Sequence, residues 1–129
     1  MTFILVPKRG DDLQINGWNW RPTLELLLRD GLISEELHER MGAQGAGGEA
    51  DAELAGRIAD AIERTLGEMK PGERMQADLT ITDRPRAKSA IMPETQPGGL
   101  DTDDIYSATR EWLTTFAQFC RGSGGFEVF

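Results

Sequence analysis

Cys120 is the only cysteine of the chain and His38 the only histidine, so a thiol nucleophile or a Cys/His zinc site would have to run through them. A thiol becomes reactive where a cation, a base or a helix N-terminus holds it as thiolate. Cys120 stands instead on an apolar helical stripe, one turn after Phe116, with Arg121 as its nearest cation in sequence. It falls near a helix C-terminus, whose dipole raises a thiol pKa, so a buried structural cysteine is expected. His38 lies among Glu35, Glu36 and Glu39. With no second histidine and no nearby cysteine, a zinc site lacks ligands, and a Cys–His dyad requires the two residues to meet across the fold.

Four other stretches suggest binding or chemistry, and two of them are more simply explained without it. "GAQGAGG", residues 42–48, has the glycines of a phosphate-binding loop, because such turns aim backbone amides at an anion. It lacks the closing Gly-Lys-Ser/Thr, and Glu49, Asp51 and Glu53 would repel phosphate, so it reads as a flexible connection. "DTDD", residues 101–104, has three carboxylates without the spacing of a calcium loop, and reads as helix capping. In "GWNW", Trp20 is expected in the core. Trp18 is left open between core packing and a binding surface, where tryptophan is enriched. Arg84, Arg86 and Lys88 form a small basic patch that a partner could contact.

The charge distribution narrows the class of partner. The chain carries −8 overall, and residues 30–68 alone carry −7. Nucleic-acid binding depends on Lys and Arg neutralising phosphates, so this balance argues against DNA and RNA and permits attraction to a basic protein. The apolar run Phe3–Val6 is too short for a signal peptide or a membrane span, and one cysteine makes no internal disulfide. The expected address is the cytoplasm, with no membrane partner. At 129 residues, with 39% apolar and 28% charged side chains, a single globular domain over 1–129 is expected.

The elements follow from periodicity. Phe3–Val6 and Leu13–Ile15 read as two strands of a hairpin around "KRGDD". A first helix is expected from Pro22, which suits a first turn, with Leu24, Leu27 and Leu28 on one face and Gly31 as its stop. Ser34 is the expected cap of a short second helix with Leu37 and Met41 inward. Ala55, Ile58, Ala59, Ile62, Leu66 and Met69 mark the clearest helix, ended by Lys70-Pro71-Gly72. Ala77–Thr82 alternates at period two and reads as a strand; residues 83–100, with three prolines, read as a long loop. The last helix is expected from Asp101 or Thr102, with Ile105, Thr109, Trp112, Leu113, Phe116 and Cys120 on one face. Phe126–Phe129 should then be a strand locked into the core, beside a neighbour such as 77–82. The sum is an α+β fold of three to four helices packed on a small, mainly antiparallel sheet.

"NWRPTLELLLRDGL", "DAELAGRIADAIERTLGEM" and "WLTTFAQFCRGSGGFEVF" together resemble a family of small bacterial proteins of unknown function. The shared order is a Trp-bearing helix, an Ala/Ile/Leu helix and a terminal helix that runs into "FCRGSGGF". That resemblance implies no catalytic residue; small acidic bacterial proteins of this build are also similar, by analogy, to immunity proteins that neutralise toxins. The functional expectation is a non-enzymatic domain that binds another protein, with a basic toxin as one such partner. Its candidate contacts are Trp18, Glu35, Glu36, Glu39, Arg84, Arg86 and Lys88, without cofactor or metal. The alternatives are a small-molecule sensor whose rim is Trp18, the glycine loop and the 83–100 loop, and a carboxylate-based hydrolase or transferase.

Overall fold

A computed structural model describes residues 2–43, 45–83 and 106–129. Among them lie four helices and two small antiparallel sheets, an α+β fold. The expected hairpin forms: β1 (Thr2–Pro7) pairs with β2 (Leu13–Asn16), setting Phe3 opposite Ile15. Helix α1 (Gly17–Arg29) follows without a loop, because the Asn16 side chain accepts the Asn19 amide at 2.9 Å and caps it. The helix therefore starts five residues before Pro22, which sits inside it rather than in its first turn. Leu24, Leu26 and Leu27 are fully covered and Leu28 partly so. Gly31, at φ +72°, ends the helix as its spacing implied.

Ser34 caps α2 (Glu35–Met41) by accepting the Leu37 amide at 3.1 Å, and Met41 is buried. Beyond the glycine-rich connection, Glu49–Asp51 forms β3, a strand too short to give a period-two signal. Asp51 then caps α3 (Ala52–Leu66), which buries Ala55, Ile58, Ala59 and Ile62 as the stripe required. Gly67 ends this helix before Lys70-Pro71-Gly72, and Met69 is buried from outside it.

One expected strand and one expected helix start are corrected. Residues 77–80 turn between β4 (Arg74–Gln76) and β5 (Ile81–Thr82), so the alternation over 77–82 is mostly a tight turn. Asp78 Oδ1 accepts the Thr80 amide at 2.9 Å, the Gln76 amide donates to the Thr80 carbonyl at 2.8 Å, and Leu79 is held at φ +73°. That local capture of the backbone by an aspartate competes with a ladder. The last helix, α4 (Arg110–Ser123), starts after β6 (Ser107–Thr109), with Thr109 as its cap, not Asp101 or Thr102. Asp101–Ile105, Arg84, Arg86, Lys88 and nearly all of the 83–100 loop lie outside the described residues.

The last strand, β7 (Gly125–Val128), is central, in a sheet ordered β2-β1-β7-β3; β5-β4-β6 form the second sheet. It pairs with β1 and β3, not with 77–82. Its entry requires glycine twice: Gly124 ends α4 at φ +70°, and Gly125, at φ +109°, stands where a Cβ would lie 2.9 Å from the Ala50 carbonyl oxygen. Above the sheet, α3 packs chiefly against α4. Between them and α1 sits an aromatic cluster in which Phe116 stacks on Trp112 at 5.2 Å and meets Trp20 and Phe126 edge-on. Edge-on and offset contacts of this kind match the ring quadrupoles.

Candidate functional site

A groove of about 870 Å³ opens between α1 and α2, over the first residues of β1. One wall comes from α1, where Trp18 and Arg21 are three residues apart and so share a face, with Leu24 and Leu28 farther along. The other comes from α2, where Glu35, His38 and Glu39 are spaced i, i+3 and i+4 and continue to Gly42 and Ala43. Phe3 and Trp20 close the floor, and Tyr106 lines the side.

The two tryptophans divide the work. Trp20 is 1% exposed and donates its indole N–H to the Met41 carbonyl at 2.9 Å, which ties α2 to α1 and leaves that ring no donor for a ligand. Trp18 is 44% exposed and is one of two large apolar side chains left on the surface among the described residues, the other being Phe129. The Arg21 guanidinium lies over the Tyr106 ring at 5.1 Å, a cation–π contact that fixes the cation at this end of the groove. A second tie joins the walls, since His38 Nε2 lies 2.9 Å from Glu25 Oε1. The α1 entry is held by polar side chains: Asn19 Oδ1 accepts the Thr109 amide at 3.0 Å, and Trp112 donates to Thr23 Oγ1 at 2.8 Å.

Of the residues singled out from the sequence, Trp18, Glu35 and Glu39 come together in this groove. Glu36 is exposed on α2 but does not line it. Arg84, Arg86 and Lys88 lie outside the described residues. Sequence reasoning missed Arg21, Glu25 and Tyr106. The first two stand at i+3 and i+7 from Trp18, a signal that becomes visible only if the helix is begun at Gly17 rather than Pro22. Cys120 is buried on α4 and does not line the groove, and burial pushes its thiol pKa well above the usual range. Among the described residues no three His, Cys, Asp or Glu side chains gather as metal ligands would, and no helix is long and apolar enough to cross a membrane.

The groove can thus enclose an apolar or aromatic body, offer carboxylates from one wall and a guanidinium from the other, and exclude water over Phe3 and Trp20. It presents no nucleophile paired with a base among the described residues. Comparison with protein-family models, with curated proteins and with solved structures gives no match.

Proposed function

We propose that this protein is a non-enzymatic binding domain that acts in the cytoplasm by docking another protein into the α1–α2 groove. Inhibition of a basic toxin, in the manner of an immunity protein, is the form of that activity which the charge favours. The observation that carries the reading is Trp18: a large aromatic ring, 44% exposed, at the lip of a groove that also presents Glu35 and Glu39. Exposed tryptophans beside apolar concavities are the usual anchors of protein interfaces. Residues 30–68, at −7, supply the field that steers a cationic partner to the same wall.

The test is a photo-crosslinking amino acid at position 18, with position 57 on the outer face of α3 as control, expressed in the cell of origin. The expected result is one discrete protein adduct from position 18 and none from position 57. Co-expression with that adducted protein should then suppress whatever toxicity it has alone. Loss of any position-specific adduct would overturn the reading.

A second reading, a small-molecule sensor, is favoured by the volume of the groove, which falls within the roughly 300–1,000 Å³ of ordinary ligand sites. Gly42 and Ala43 of the glycine-rich connection contribute to its lining. A metabolite recovered in stoichiometric amount from the purified protein would favour this alternative.

A further inference from the structure

The groove has two electrostatic ends, and that polarity constrains what fits it. On the α2 wall, Glu35 and Glu39 are exposed carboxylates one turn apart, and neither makes a side-chain hydrogen bond or ion pair among the described residues. His38, between them, is engaged by Glu25 of α1, so a third carboxylate reaches the α2 wall from across the groove. On the α1 wall, the Arg21 guanidinium covers Tyr106 with one face and retains N–H donors at its edge. Trp18 stands one turn before Arg21 and is 44% exposed.

A simple anion meets two carboxylates for one guanidinium, and a simple amine meets no use for Arg21. A peptide carries both halves: a cationic side chain for the acids and backbone carbonyls for the guanidinium. Among cations, guanidinium is planar, weakly hydrated and stacks on indole, whereas a lysine ammonium is a strongly hydrated point charge.

We propose that the groove recognises an arginine within an extended basic segment of the partner, its guanidinium seated between the Trp18 ring and the Glu35 and Glu39 carboxylates and its backbone carbonyls facing Arg21. This rests on the reading of the protein as a partner-binding domain and names the chemistry of the partner. Charge complementarity selects this occupant, because the α2 wall lies in the acidic segment 30–68 and presents Glu35 and Glu39, while Arg21, the one Lys or Arg among the described lining residues, stands on the α1 wall.

The experiment titrates the full chain with three blocked pentapeptides, Gly-Gly-X-Gly-Gly, where X is arginine, its neutral isostere citrulline, or glutamate, following amide shifts and tryptophan emission. The arginine peptide should bind about tenfold more tightly than the citrulline peptide, since a cation–π contact and two charge contacts act together. The Glu35→Gln/Glu39→Gln double variant should bring that ratio close to one. Trp18→Phe should remove the emission change while the buried Trp20 and Trp112 remain. Arg21→Gln should weaken arginine and citrulline peptides alike. These side chains are exposed, and matching thermal melts show that the variants are folded. Equal binding of arginine and citrulline peptides, tighter binding of the glutamate peptide, a ratio untouched by the double variant, or no binding at all each overturns the proposal. If a protein adduct forms at position 18 while arginine shows no advantage, this inference fails and the binding-domain reading survives. If the arginine peptide binds as described and no adduct forms, the failure lies with the reading.

Discussion

A single residue separates Trp18 from Trp20, yet their substitutions should have opposite consequences. Trp20→Ala removes a fully buried ring that touches Phe3, Trp112 and Phe116 and holds Met41, and should cost about 3–5 kcal/mol in unfolding free energy. Trp18→Ala should change stability by no more than about 0.5 kcal/mol while weakening partner binding through faster dissociation. Denaturant melts and dissociation kinetics of the two variants separate the roles. Cys120 makes a comparable case: its burial at 2% predicts slow alkylation of the folded protein and rapid alkylation in denaturant, and fast native labelling would contradict the structural role. The core place of Cys120 was readable because it stands on an apolar helical stripe, and Trp20 was expected in the core ahead of the first helix. The exposure of Trp18 was not, because it depends on which turn begins α1, and that is set by the Asn16 side chain.

At the scale of elements, β7 is the part whose loss should matter most. It lies between β1 and β3, so both of its edges are paired. Phe126 is 1% exposed and Phe129 43%, so Phe126→Ala should cost about 3–5 kcal/mol and Phe129→Ala less than about 1. Gly125→Ala combines φ +109° with a Cβ 2.9 Å from the Ala50 oxygen, and should lower stability by about 1–3 kcal/mol, visible as a reduced melting temperature. The hairpin β1–β2, the caps Ser34 and Gly31, and the stripe of α3 follow from local sequence, where a side chain or a missing Cβ decides the matter within a few residues. The turn at 77–80 went unread because the period-two alternation and the β-branched Thr80, Ile81 and Thr82 suit a strand; the backbone bond from Gln76 to Thr80 makes the difference.

For the whole molecule, charge should act in two separable ways. Arg121 on α4 reaches Asp60 at 2.6 Å and Glu63 at 2.9 Å on α3, and its hydrogen bond holds the Glu63 carboxyl below its ordinary value of 4.5. A carboxylate with a lowered folded-state pKa stabilises the fold above its unfolded value and loses that contribution as pH falls through the folded value. The Glu63 contribution is therefore complete above about pH 4.5 and disappears below it. A carboxyl titration of Glu63 should show the depressed midpoint, and Arg121→Gln should return it toward the ordinary value. The acidic segment 30–68 acts instead on encounter: association with a basic partner should slow as salt shortens the Debye length from about 30 Å to about 8 Å, with dissociation little changed. The sequence by itself determined the α+β class, the hairpin, the four helical stripes and the acidic wall of α2, because each follows from periodicity or charge within one short segment. Only the tertiary structure decided that β7 pairs with β1 and β3, and that Trp18 and Arg21 line one groove with Glu35 and Glu39. Strand partners and groove walls are chosen by long-range packing of whole faces, and nothing in a local pattern distinguishes one apolar partner from another.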